Sequence, residues 1–221
     1  MSAELGVVYE SSLQFFGKMN ASISHEINNV LAIINENAGL LEDFALMADK
    51  GVPIEPARLK TMAGKILAQI QRADIIIKNM NKFSHSVDEG IKRVDLNDLL
   101  ELVIALSNRF ASMRGVTLEL NLPTNPLFIT TNNFFLENLL CQCLDFAMDA
   151  AGQGKTVALN AEIIEKDVVI RFSHLEGLKT TPEIVSPATV EEGLLDAIKG
   201  RLTTDIKAGI MALILPADIK R

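Results

Sequence analysis

The spacing of apolar residues changes near residue 90, and this change constrains the fold more than any other feature. Before it, apolar residues recur every three or four positions over two long stretches, which is the period of an amphipathic helix. After it, short alternating segments typical of strands lie between helical ones. The sequence therefore predicts two domains, a helical one over residues 1–90 and an α/β one over residues 91–221.

The helical half predicts a hairpin of two long antiparallel helices. We expect the first from about Val8 to Asp49 and the second from about Pro56 to Val87, because the two prolines between them cannot lie inside a helix. A single hairpin cannot cover the apolar stripes of both helices, whereas two copies about a two-fold axis form a four-helix bundle that does. We therefore expect a homodimer. The stripes consist of Phe16, Ile23, Ile27, Leu31, Ile34, Ala38 and Leu41 in the first helix, and of Leu59, Met62, Ile66, Ile70, Ala73, Ile77 and Met80 in the second.

The second half predicts a mixed sheet covered by helices on one face. Asp95 is a candidate N-cap for a helix that reaches Arg114, and Asn132 or Asn133 for one that reaches Ala151. This order of elements gives an α/β sandwich and places the chain in the α+β class. The other expected elements are strands at 116–122, 127–130, 156–164, 167–172 and 206–215, a polar segment at 178–189 and a helix at 190–199.

Composition excludes several classes of function. The chain has 28 acidic and 21 basic residues, so it lacks the basic surface that nucleic acids and anionic membranes attract. No stretch approaches the ~20 apolar residues that span a bilayer, and the first residues lack the basic start of a signal peptide. We expect a cytoplasmic protein. Cys141 and Cys143 would point to different sides of a helix, so we expect buried thiols rather than a disulfide or a chelating pair.

One of the three histidines has an unusual position. His25 projects about 160° from Ile27, opposite the apolar stripe, with Asn29 one turn on and Glu26 on the flank. An exposed neutral imidazole can attack phosphorus, and a neighbouring carboxylate can orient the ring or take its other proton. The same residues also fit a solvated polar face. The residues alone leave both interpretations open. His85, at the end of the second helix, is more simply a cap of that helix.

Residues 15–29, which read FFGKMNASISHEINN, resemble the phosphoacceptor box of bacterial sensor histidine kinases. The shared pattern is His-Glu, two residues, then Asn. This resemblance implies that His25 is phosphorylated, that Glu26 is its acid/base partner, and that Asn29 positions water or the phosphoryl group. Val30 stands where one large branch of the family has proline, which removes a helix kink but no chemistry.

Residues 95–217 resemble, element by element, the ATP-binding domain of the same family. The resemblance places Phe146 where the family has a magnesium-binding asparagine, and His174 where it has an aspartate that binds adenine. A Gly-x-Gly cluster is missing from the segment that follows. We therefore expect this chain to bind neither a nucleotide nor a metal, and Mg²⁺ to come with a partner receiver domain.

A phosphoacceptor hairpin joined to a degenerate nucleotide fold resembles the dimeric histidine phosphotransferases. The main hypothesis is a phosphorelay protein that carries a phosphoryl group on His25 to or from receiver-domain aspartates. One alternative is a kinase core that autophosphorylates from ATP. Another is a catalytically silent scaffold, or a response-regulator phosphatase that uses Glu26 and Asn29. The sequence leaves open the receiver partner, the direction of phosphoryl flow and any sensed signal.

Overall fold

The structure is a computed structural model and describes residues 2–180 and 192–220. Most of the polar segment expected at 178–189 lies outside the described residues. The chain divides into two compact units, one formed by residues 17–82 and one formed by residues 1–16 together with 83–221. The domain boundary near residue 90 stays a prediction.

Two long helices dominate the first part of the chain, as expected. Helix α1 spans Ser2–Asp49 and helix α2 spans Pro56–Ser84, followed by one 3₁₀ turn at His85–Val87. Gly51, between the helices, has a φ of +84°, which a glycine adopts without strain. Val30 is fully buried within the continuous helix α1.

The buried side of α1 differs from the expected one. Between residues 17 and 49, the buried side chains are Met19, Ser22, Ile23, Val30 and Asn37. Their mean direction lies about 80° around the helix from Ile27, the centre of the predicted stripe. Most of that stripe is half-buried or exposed, because a single neighbouring helix covers one side of α1 only. In the stretch 56–82 of α2, all of which the structure describes, no side chain is buried.

The second unit contains a five-stranded mixed sheet in the order β2-β4-β5-β7-β6. Strands β2 and β4 are parallel and the other neighbours are antiparallel. The α+β class expected from the sequence is thus confirmed. The strands of this sheet are β2 (Thr117–Asn121), β4 (Thr156–Ile164), β5 (Asp167–Ser173), β6 (Arg201–Asp205) and β7 (Ile210–Pro216).

One predicted strand has the wrong bounds. The segment 206–215 is not one strand, because β6 ends at Asp205 and β7 begins at Ile210, with a turn between them in which Gly209 has a φ of +67°. The strand expected at 127–130 is present, and it lies outside the main sheet. It forms β3 (Phe128–Asn132), which pairs with β1 (Ile91–Asp95), a strand that the sequence analysis missed.

The helices of this unit begin where the sequence predicts. Helix α3 (Leu96–Arg114) is capped by Asp95, whose Oδ1 accepts a hydrogen bond from the Asn97 amide at 2.9 Å. Helix α4 (Asn133–Asp149) is capped by Asn132, whose Oδ1 accepts one from the Phe135 amide at 3.0 Å. Both helices contribute fully buried leucines to the core. Two short helices follow, α5 (Gly177–Thr180) and α6 (Glu192–Ala197).

Both cysteines are buried free thiols, as expected. Both lie on α4, and burial raises the pKa of the Cys143 thiol. A fully buried thiol that stays protonated is unreactive, so these residues serve the core.

Four phenylalanines join three elements within the unit of residues 1–16 and 83–221. The ring of Phe83, from the end of α2, has its centroid 5.3 Å from Phe16 and 5.6 Å from Phe15. Phe134, from the first turn of α4, lies 6.2 Å from Phe83. Phe83 is fully buried. This cluster packs the N-terminal part of α1 and the end of α2 against α4.

Candidate functional site

His25 lies on α1 with its side chain exposed, on the side that the helical projection predicts. Its Nδ1 atom is 3.2 Å from Nδ2 of Asn29, one turn further along the same helix. Among the described residues, Asn29 is the hydrogen-bonding partner of His25. Because Nδ1 is engaged, Nε2 is the ring nitrogen directed away from this partner.

Glu26 faces the second helix rather than His25. Its Oε2 is 3.7 Å from an Nη atom of Arg72 on α2, and the Glu26 side chain is 21% exposed. On the helical projection, residue 26 lies close to the mean direction of the buried side chains of α1. The ion pair connects the two helices one residue away from the imidazole.

Arg72 is a residue of the site that the sequence analysis missed. Its pairing with Glu26 depends on the register of the two helices, and the two residues lie at unequal distances from the turn, so counting back from the turn would not have found it. The six residues between Asp49 and Pro56 do not fix that register, because a loop of this length closes in many ways.

In the unit of residues 1–16 and 83–221, two positions were matched by resemblance to residues that bind magnesium and adenine. Neither of these positions carries such a side chain. Phe146 has an apolar ring that is 7% exposed, so it offers no oxygen ligand to a cation. His174 has a φ of +67° and stands directly after β5, where it supplies no carboxylate. Phe146 and His174 therefore do not fit a magnesium nucleotide at these two described positions.

The segment that follows β5 packs closely against its neighbours. The Gly177 amide donates a hydrogen bond to the Ala150 carbonyl at 2.8 Å, and a Cβ added at Gly177 would lie 2.8 Å from that oxygen. Three leucines in and near this segment are also buried, namely Leu175 before α5, Leu178 in α5 and Leu194 in α6. Gly177 thus serves close packing of backbone on backbone.

The other exposed histidine of the hairpin sequence has a different partner. Nδ1 of His85 is 2.7 Å from Oδ2 of Asp88 in the 3₁₀ turn after α2. This pair lies at a helix end, as expected for a residue that favours that position. Among the described residues, no helix combines the length and apolar character needed to cross a membrane.

No family model matches the chain. The sensor histidine kinase YcbM of Bacillus subtilis is 21% identical over 174 residues, which cover 76% of this chain and 53% of YcbM. The chain is thus similar to a bacterial sensor histidine kinase. It spans about half the length of this curated relative. Because YcbM is a sensor histidine kinase, the match supports a histidine kinase core. It does not favour a phosphotransfer protein over a kinase core.

Two solved structures have a backbone similar to that of this chain. Histidine kinase AdeS of Acinetobacter baumannii has a TM-score of 0.48 at 14% identity, covering 87% of this chain and 98% of AdeS. Histidine kinase ThkA, solved in complex with response regulator protein TrrA, has a TM-score of 0.46 at 19% identity, covering 95% of this chain and 64% of that one. At these scores the structural likeness carries no further conclusion about this chain.

Proposed function

We propose that this chain is a phosphoacceptor of a two-component pathway, in which His25 carries a phosphoryl group to or from receiver-domain aspartates. The observation that carries the proposal is the exposed imidazole, bonded through Nδ1 to Asn29 so that Nε2 is directed away from it. An exposed nitrogen on a rigid helix can be approached in line by a phosphoryl group on another protein.

The transfer needs little from this chain beyond position. The Nε2 lone pair attacks the phosphorus of an aspartyl phosphate, the N–P bond forms, and the P–O bond to the aspartate breaks with release of its carboxylate. The receiver would hold the Mg²⁺ that neutralises charge on the phosphoryl oxygens. In the tautomer that reacts, the ring proton is on Nδ1 and remains there during the attack.

Two residues of the unit that contains residues 83–221 support a receiver rather than ATP as the phosphoryl donor. A buried phenylalanine at position 146 and a histidine at position 174 replace the two side chains that would hold magnesium and adenine. We therefore propose that this unit does not supply the phosphoryl group.

A second candidate function is a kinase core that phosphorylates His25 from ATP. The observation in its favour is the match to YcbM, which extends over 76% of this chain. This candidate requires a nucleotide site built from residues other than those at positions 146 and 174.

We further propose that the hairpin pairs with a second copy of this chain. The apolar stripes leave Leu31 49% exposed on α1 and Ile70 50% exposed on α2. A second hairpin would bury both stripes in one core, and this burial is the main driving force for such bundles.

Two phosphoryl donors distinguish the candidates in one experiment. The full chain is incubated with labelled ATP and Mg²⁺, and separately with a panel of receiver domains that carry labelled phosphoryl groups. We expect label from at least one receiver and none from ATP, with loss of label in His25→Gln. His85→Gln is the matched control, because it removes another exposed histidine and should keep the label. Label from ATP would support the kinase instead, and no label from either donor would contradict both.

A further inference from the structure

The hydrogen bond between Asn29 and His25 couples the position of the ring proton to the orientation of the Asn29 amide. Nδ2 of Asn29 belongs to an amide NH₂ group, which only donates hydrogen bonds. Nδ1 of His25, 3.2 Å away, must therefore accept, and the proton of the neutral ring is on Nε2. In this arrangement neither ring nitrogen is ready to attack phosphorus, because the Nδ1 lone pair is bonded to Asn29 and Nε2 carries hydrogen.

A rotation of one amide reverses this arrangement. Turning the Asn29 amide by half a turn places Oδ1 where Nδ2 lies, and a carbonyl oxygen only accepts. The ring proton then belongs on Nδ1, and Nε2 gains a free lone pair. The rotation is small in cost, since the terminal torsion of asparagine is broad and the side chain is exposed.

Glu26 is not placed to control the same proton. Its carboxylate is paired with Arg72 across the hairpin, on the buried side of α1. The ring nitrogen that a base would have to contact is instead bonded to Asn29. Asn29 therefore holds the position through which the reactivity of Nε2 is set.

We propose that Asn29 is a positioning residue that selects the tautomer of His25, and that rotation of its amide converts the ring from a resting form into a nucleophile. The inference rests on the proposed function for its biological meaning, although the tautomer can be measured without any partner. In the active form, the Nε2 lone pair forms the N–P bond while the Nδ1 proton remains, held by Oδ1 of Asn29. No proton has to leave the ring during the attack.

The test compares Asn29→Asp with Asn28→Asp in the full chain. A carboxylate only accepts hydrogen bonds, so Asn29→Asp should hold the proton on Nδ1 permanently. Asn28 is exposed on the neighbouring helix position and lies about 100° around the helix from Asn29, which makes it a matched control for charge and helix propensity. The tautomer is read from the ¹⁵N chemical shifts of His25 at a pH where the ring is neutral. We expect Nε2–H in the wild type and in Asn28→Asp, and Nδ1–H in Asn29→Asp. An unchanged tautomer in Asn29→Asp would overturn the proposal.

Reactivity is measured with phosphoramidate, a small phosphoryl donor that needs no protein partner. The ring nitrogen attacks its phosphorus, the P–N bond of the donor breaks, and ammonia leaves. We expect Asn29→Asp to form phosphohistidine several-fold faster than Asn28→Asp, with His25→Gln as the negative control. Equal rates despite an inverted tautomer would also overturn the proposal. Failure of every receiver to transfer its phosphoryl group would contradict the proposed function but leave the tautomer result standing.

Discussion

At the residue scale, a buried carboxyl group makes the stability of the protein depend on pH. Glu137 on α4 is fully buried, and desolvation raises its pKa to about 8 from 4.5, against the opposing effects of Ser86, Asn133 and Lys92. Between these two values the folded chain keeps a proton that the unfolded chain has lost. The free energy of unfolding therefore falls as pH rises from about 4.5 to about 8. Glu137→Gln carries no titrating proton, so it should gain stability relative to the wild type as pH rises.

Urea unfolding near pH 5 and near pH 8.5 checks this prediction. These two pH values roughly bracket the range over which the folded and unfolded chains bind different numbers of protons. Glu101→Gln, on the exposed side of α3, is the control and should follow the wild type. A Glu137→Gln variant whose stability tracks the wild type at both pH values would contradict the account of the buried carboxyl.

A second residue-scale prediction concerns the ion pair beside His25. Arg72 is half exposed, so solvent screens its attraction to Glu26 and the pair contributes little to folding. Arg72→Ala should change the free energy of unfolding by less than about 1 kcal/mol. Thermal unfolding tests this, with Lys78→Ala as the control for another exposed ion pair of α2. A much larger loss for Arg72→Ala alone would show that the pair is a structural element of the hairpin.

At the scale of elements, the phenylalanine cluster holds the N-terminal part of α1 and the end of α2 against α4. Phe83 is fully buried between Phe15, Phe16 and Phe134. Phe83→Ala removes a whole ring from a packed site and should cost about 3–5 kcal/mol of unfolding free energy. Phe128→Ala is the matched control, because the Phe128 ring is 42% exposed and should cost less than half as much. Equal losses in calorimetry or urea unfolding would contradict the role of the cluster.

At the scale of the whole molecule, the exposed stripes of the hairpin predict a dimer. Leu31→Glu puts a charge in the proposed core between two copies, where it has no partner and cannot be solvated. Sedimentation velocity should therefore show a dimer for the wild type and a monomer for Leu31→Glu. Ile163→Glu places the same charge on an exposed position of β4 and should remain dimeric. A monomeric wild type would contradict the four-helix bundle.

Local signals in the sequence predicted much of this structure. Asp95 and Asn132 cap their helices as expected, because a cap depends on residues within one turn. The exposure of His25 follows from its angle to the apolar residues of its own helix. The roles of His25, Glu26 and Asn29 stay predictions.

The features that the sequence did not predict depend on contacts between distant segments. The pairing of Glu26 with Arg72 needs the register of the hairpin, and the short strand β1 exists only through its pairing with β3. The raised pKa of Glu137 comes from its burial between distant segments, and Ser86, which is remote in sequence, is among the groups that lower it. Such pairings cannot be read from periodicity, since periodicity shows which face is buried but not what covers it.

The most direct measurement of the central claim locates the phosphoryl group on the protein. The full chain is incubated with a phosphorylated receiver, and phosphorus NMR is recorded for the wild type, for His25→Gln and for His85→Gln. We predict a phosphohistidine signal in the wild type and in His85→Gln that is absent in His25→Gln. A signal that persists in His25→Gln, or a phosphohistidine that forms only when ATP is supplied, would contradict the account.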